Sequence, residues 1–136
     1  MAIQFSVAVR NTMIDAWETA IGTNPVLRIR TGASPANCAA ADTGTVIATM
    51  TLPSDWMANA ANGAKAKSGT WEDTAADAGG TPGHYRIYAS DGTTCHEQGT
   101  VTTVGGGGDL ELLGTFPIVA AQPVSIATFT KTMGGA

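Results

Sequence analysis

Charge is what this 136-residue chain has least of: Asp, Glu, Lys and Arg together make up only 13%, about half the usual share of a globular domain. Seven basic residues stand against eleven acidic ones, for a net charge of −4. Neutralising phosphates requires clustered cations, and the closest groupings here are Arg28 with Arg30 and Lys65 with Lys67. The sequence therefore argues against a nucleic-acid partner. It also lacks any run approaching the roughly 18 apolar residues of a membrane span, which argues against a membrane partner. The opening residues, Met1-Ala2-Ile3-Gln4-Phe5, have neither the basic region nor the apolar core of a secretion signal. Synthesis in a cytoplasm is the expectation.

Catalytic and metal-binding signatures are equally sparse. There are two cysteines, Cys38 and Cys95, with no C-x-x-C pair; in a reducing compartment they are expected as free thiols, although a bridge between them is the alternative. His84, Cys95, His96 and Glu97 form the one cluster with ligand chemistry. The last three are consecutive, however, so in a strand their side chains point to alternating faces, whereas a structural zinc site wants four converging ligands. Cys95-His96 adjacency is likewise not nucleophile–base geometry. No G-x-S-x-G or calcium-loop motif occurs, and neither Lys-Ser/Thr nor a helix pattern follows the four glycines at 105–108. No metal, cofactor or catalytic residue is expected, and a hydrolase built on Cys95 or His96 is the weakest of the readings.

Thr, Ala and Gly fill the place of charge, while apolar residues reach an ordinary 43%. Such a composition suits a β protein with Thr-covered strands, or a domain packed against neighbours. The most legible stretch is 84–102. Tyr85, Ile87 and Ala89 alternate with Arg86 and Tyr88, Asp91-Gly92 supplies a turn, and Cys95, Glu97 and Gly99 alternate with His96, Gln98 and Thr100. That pattern predicts a hairpin, which needs further strands or a helix to cover its apolar face.

Around it the chain reads as one domain over 1–136. Ile3, Phe5, Val7 and Val9 alternate with polar residues and predict a first strand over 3–9. Asn11-Thr12 offers a helix cap, with Met13, Ile14, Trp17, Ala20 and Ile21 on one stripe and Gly22 as terminator, a helix over about 12–21. Strands are predicted over 26–31, 45–52, 64–71, 110–113 and 123–131. Loops occupy 32–44 and 53–83, with single helical turns at 54–57 and 73–77. About eight short strands and one N-terminal helix, with no βαβ alternation, predict a mainly β domain, an antiparallel β-sandwich or jelly-roll-like fold.

Several of these segments carry a resemblance. The strand-to-helix start Arg10-Asn11-Thr12-Met13-Ile14-Asp15-Ala16, the run Leu27-Arg28-Ile29-Arg30-Thr31-Gly32-Ala33-Ser34-Pro35, and the Tyr85-Arg86-Ile87-Tyr88 hairpin belong to it. So do the Gly107-Gly108-Asp109-Leu110 turn and the final Pro123-Val124-Ser125-Ile126-Ala127-Thr128-Phe129-Thr130 strand. Nearly end to end, the chain resembles small virion structural proteins of tailed bacteriophages and prophages. The resemblance implies a capsid cement or decoration protein on the virion surface, made in the host bacterial cytoplasm, whose partner is the major capsid protein. A tail or head–tail component is the nearest rival.

Outside that class, Trp56, Trp71, Tyr85 and Tyr88 could line the sugar-binding face of a carbohydrate-binding module, with core packing or subunit contact as the other fate of those rings. On a closed shell, repeated sites favour symmetric contacts, so a homodimer or homotrimer is expected. Its interface is assigned to Ile3 and Phe5 at the start, Trp56 and Met57 in the long loop, and Phe129, Thr130, Lys131 and Met133 at the end.

Overall fold

The computed structural model describes residues 3–135. It is mainly β with one N-terminal helix, α1 (Val7–Ile21), and eight strands: β1 (Val26–Thr31), β2 (Val46–Thr51), β3 (Ala64–Ala66), β4 (Glu72–Asp73), β5 (Pro82–Tyr88), β6 (Cys95–Thr103), β7 (Leu110–Leu112) and β8 (Val124–Thr132). The strands form one sheet in the order β2-β1-β5-β6-β7-β8-β3, with β4 also on β8. The sheet curls into a half-barrel. Its two ends are drawn together where the Thr49 amide on β2 donates to Asp73 of β4 at 3.0 Å and the Thr49 hydroxyl donates to Asp77 at 2.8 Å.

The alternation over 3–9 does not become a strand. The helix begins five residues earlier than its expected start at 12, because Ser6 holds an extended backbone and its hydroxyl accepts from the Val9 amide at 3.2 Å. Two valines in a first turn are poor helix formers, but helical spacing puts Arg10 one turn before Ile14, and both are buried. The Arg10 guanidinium donates to the Asn62 carbonyl at 3.2 Å. That tertiary anchor outweighs local propensity. The expected cap residues do other work: Asn11 accepts from the Gly63 amide at 2.8 Å, and Thr12 donates back to Ala8 within the helix. Gly22, at φ 93, ends the helix as expected.

Strand β1 lies where the alternation put it, with Leu27 and Ile29 in the core. The hairpin is present as well, pairing Arg86 with Gln98 and Tyr88 with Cys95 through one bulge near Ile87. The helical turns expected at 54–57 and 73–77 do not form. Trp56 and Trp71 are drawn into the core instead, and Glu72 and Asp73 pair with β8. The expected strand over 64–71 is regular only from Ala64 to Ala66.

At the centre is an aromatic chain. Trp17 meets Trp56 at 5.2 Å between centroids, Trp56 meets Trp71 at 6.0 Å, Trp71 meets Phe129 at 5.4 Å, and Tyr85 meets Phe129 edge-on at 5.8 Å. Such pairs each add roughly 0.5–1.5 kcal/mol beyond the area they bury. Leu27, Ile29, Met50, Ile87, Leu110, Leu112 and Ile126 complete the core around them.

One pairing departs from an all-antiparallel sheet: β7 runs parallel to β6, with Val101 beside Leu110. Parallel neighbours ordinarily need a crossover of about a dozen residues or more. Here 104–109 suffices, because glycine lets the loop fold flat onto the strand it has just left. A Cβ on Gly106 would sit 2.6 Å from the Thr102 side chain, and one on Gly108 would sit 2.8 Å from the Thr102 backbone nitrogen. The glycine run therefore marks a close backbone approach.

Candidate interaction surface

Three polar anchors fix the surface layers of the half-barrel. The first joins α1 to β3. Lys65, 5% exposed, places its ammonium 2.7 Å from Asp15 and in contact with Glu18, both on the helix. Burial opposes the charge on Lys65, but the two carboxylates outweigh it and hold its pKa above the ordinary value.

The second is Glu97, whose carboxylate faces the core side of β6. It accepts from the Trp17 indole at 3.0 Å and the Tyr85 hydroxyl at 2.7 Å, and pairs with Lys131 at 2.5 Å. One carboxylate thus ties α1, β5 and β8 together. Burial, and then the charge of Glu97, push the Tyr85 hydroxyl far above its usual pKa.

The third lies on the opposite face of the sheet. Segment 32–45 covers β1, β5 and β6 there, and the buried Arg86 side chain binds it. Its guanidinium donates to Asp42 at 2.6 Å, to the Asn37 carbonyl at 2.9 Å and to the Ala40 carbonyl at 3.1 Å, while Nε donates to Gln98 at 3.0 Å. Asp42 also takes Arg30 at 3.0 Å and the Tyr88 hydroxyl at 2.6 Å. Burial works to raise the Asp42 pKa, but these bonds and the two guanidinium charges win, leaving it below the ordinary carboxylate value.

Exposed large apolar side chains gather on α1 and the residues leading into it, with Val104, Leu113 and Val119 exposed separately in loops. The buried side of the helix is Arg10, Ile14 and Ile21, with Trp17 half-buried. A second apolar stripe, Val9, Met13, Ala16 and Ala20 at i, i+4, i+7 and i+11, faces outward. With the residues leading into the helix it forms an uncovered patch: Ile3 is 76% exposed, Phe5 40%, Val9 45% and Met13 37%, while Val7, also exposed, points to another side of the helix. The far end of the chain meets it there. The Phe5 amide donates to the Gly135 carbonyl at 2.6 Å, and the Phe5 ring packs where a Gly135 side chain would stand.

The residues assigned to an interface from sequence therefore separate. Ile3 and Phe5 lie in this patch. Trp56, Met57 and Phe129 are core residues, 0%, 2% and 3% exposed, and offer nothing to a partner. Thr130 is exposed, Lys131 is half-buried against Glu97, and Met133 is half-buried with its amide bonded to Gly63. Nor is the last strand a free edge, since β8 is paired on both sides, by β7 and by β3 and β4. The outer edge of β2 is covered by the Asp77 amide, which donates to Ile47 at 2.7 Å. Alternation alone could not tell an edge strand from an interior one. Val9 and Met13 were missed because Val9 read as strand and Met13 as core stripe. The i, i+4, i+7, i+11 spacing from Val9 was the available signal.

The proposed sugar platforms are absent from the surface, because Trp56, Trp71, Tyr85 and Tyr88 are all buried. The His84, Cys95, His96 and Glu97 side chains disperse. His84 is buried with Nδ1 on the Gly32 carbonyl at 2.8 Å, His96 is exposed, and Cys95 and Glu97 occupy opposite faces of β6. Among the described residues no group of three or more His, Cys, Asp or Glu side chains is arranged to hold a metal ion. Burial, followed by a neighbouring thiol, raises the Cys95 pKa to about 12, the reverse of what an activated nucleophile requires. No helix among the described residues is long and apolar enough to cross a membrane. Neither a protein-family model, nor a curated protein, nor a solved structure matches the chain.

Proposed function

We propose that this chain is a non-enzymatic structural subunit that docks onto a larger assembly, and that the assembly is the head of a tailed bacteriophage, where it acts as a capsid cement or decoration protein. The observation that carries the docking reading is the uncovered apolar patch of Ile3, Phe5, Val9 and Met13, where exposed large apolar side chains are grouped, whereas Val104, Leu113 and Val119 are exposed in separate loops. Full burial of a Val, Ile, Phe or Met side chain stabilises by roughly 1.5–3 kcal/mol, so a patch of this kind favours contact with another surface. Low overall charge reduces the cost of desolvating that contact. The ionisable groups with catalytic chemistry support the non-enzymatic part, because Glu97, Arg86, Asp42 and Lys65 are engaged in bonds that hold elements together. The phage assignment is supported by the resemblance of the Arg10–Ala16, Leu27–Pro35 and Tyr85–Tyr88 segments to small virion proteins.

In this reading the protein bridges neighbouring major capsid subunits. Contacts that exist only in the assembled shell favour the shell over its free parts by mass action. The test is mass spectrometry of purified particles separated into heads and tails, followed by heating of heads with and without the protein. The expected result is its presence on heads, which then release DNA at a higher temperature. Recovery with tails moves it to a tail or head–tail role. Absence from particles overturns the virion assignment.

A further inference from the structure

Cys38 and Cys95 are far apart in sequence, but the segment 32–45 brings them together. Asn37 to Ala40 is a tight turn: the Asn37 side chain accepts from the amides of Ala39 and Ala40 at 2.9 and 3.0 Å, and the Ala40 amide also bonds the Asn37 carbonyl at 3.1 Å. The carbonyls of Asn37 and Ala40, on either side of Cys38, both accept from Arg86 Nη2, while Gln98 donates to the Pro35 carbonyl at 2.7 Å. The turn is therefore pinned above Arg86 and Gln98. Cys95 stands on that same outward face, because the bulge near Ile87 pairs it with Tyr88. Both thiols are free and half-buried, and the Arg86 contacts set Cys38 over the same outward face as Cys95.

We propose that Cys38 and Cys95 form an intramolecular disulfide when the protein meets an oxidising thiol–disulfide pool, stapling the 32–45 segment to β6. This stands independently of the capsid reading. The oxidant is a low-molecular-weight disulfide such as oxidised glutathione. The Cys38 thiolate attacks one of its sulfurs, a small thiolate leaves, and a mixed disulfide remains on Cys38. Cys95 then gives its proton to solvent and attacks Cys38 Sγ, expelling the second small thiol. Two protein thiols are oxidised and one small disulfide is reduced to two thiols. The attacking species is the Cys95 thiolate, so the second step accelerates as pH rises.

The experiment incubates the full chain with oxidised glutathione at pH 8, blocks remaining thiols with N-ethylmaleimide and measures intact mass and Tm. The expected product is a monomer about 2 Da lighter than the reduced chain, carrying no maleimide. Its Tm is higher by on the order of 10 °C, and dithiothreitol reverses the change. Cys38→Ser and Cys95→Ser variants each lose the gain. Two maleimide adducts, a persistent glutathione adduct, a disulfide-linked dimer, or a mass loss accompanied by a lower Tm would each overturn the proposal.

Discussion

Arg86 and Asp42 meet at 2.6 Å between a guanidinium that is 2% exposed and a carboxylate at the rim of the segment that covers it. The pair joins the centre of the sheet to residues that otherwise have little apolar surface to hold them there. Its strength comes from low local dielectric and from carbonyls that satisfy the rest of the guanidinium. Asp42→Ala leaves Arg86 and Arg30 buried without their shared counter-charge. Removing one partner of a buried pair costs about 3–5 kcal/mol; the partial exposure of Asp42 places the expected loss near about 3 kcal/mol. Urea unfolding of the variant measures it, and a loss below about 1 kcal/mol would mean that the covering segment is held by its backbone contacts alone.

The same carboxylate predicts an acid dependence. Its folded pKa lies below the ordinary value of 3.8, so the unfolded chain binds the proton first. The contribution of Asp42 is therefore fully present above about pH 4 and is lost as pH falls through the lower folded value. Melting temperatures between pH 5 and pH 2 should fall for the natural chain, with a shallower fall for Asp42→Asn.

At the alkaline end the sign is opposite. Tyr85 and Lys65 both have raised pKa values in the folded state, so their contributions are complete below about pH 10 and disappear as pH rises beyond it. Tyr85→Phe removes the hydrogen bond to Glu97, which lowers stability near neutrality by about 1–2 kcal/mol. It should also flatten the loss between pH 10 and pH 11.5, as followed by circular dichroism.

The two sides of α1 should respond differently to substitution. Ile14→Ala empties a buried site and is expected to cost about 2–5 kcal/mol. Val9→Ser with Met13→Ser changes the uncovered stripe and should leave the Tm of the free protein within a few degrees, since surface changes away from special features stay within about 0.5 kcal/mol. The double variant should nevertheless lose attachment to particles in a sedimentation assay. Undiminished attachment would move docking to another face.

Gly108→Ala tests the short parallel connection. The added methyl would lie 2.8 Å from the Thr102 nitrogen, and backbone on both sides must shift to accept it. A loss of about 1–3 kcal/mol is expected. Gly134→Ala, which meets nothing within 4 Å, serves as the control.

What could be read from the residues depended on whether one local rule acted alone. Val26–Thr31 alternates, ends at Gly32 and is paired on both sides in the sheet, so pattern and outcome agree. In the hairpin, Asp91 accepts from the Thr93 and Thr94 amides at 2.8 and 3.0 Å, a local device that the Asp-Gly pair announces. Over 3–9 two rules competed, strand alternation and the Ser6 cap, and the deciding contact was Arg10 with residues some fifty positions away. No local pattern contains that information. The interface assignment divided for a similar reason. Burial of Trp56 and Phe129 follows from the curl of the sheet around them, whereas Ile3 and Phe5 stay exposed among the described residues.

The bond between Phe5 and Gly135 has a practical consequence for anyone attaching a label or a display peptide. An addition joined at either end of the 3–135 body emerges beside the apolar stripe of α1, so it would shield the very surface under study. A circularly permuted chain avoids this. A short flexible linker can connect the neighbouring ends, and new ends can be opened in the exposed turn at Asp91. Cargo would then leave from the hairpin tip.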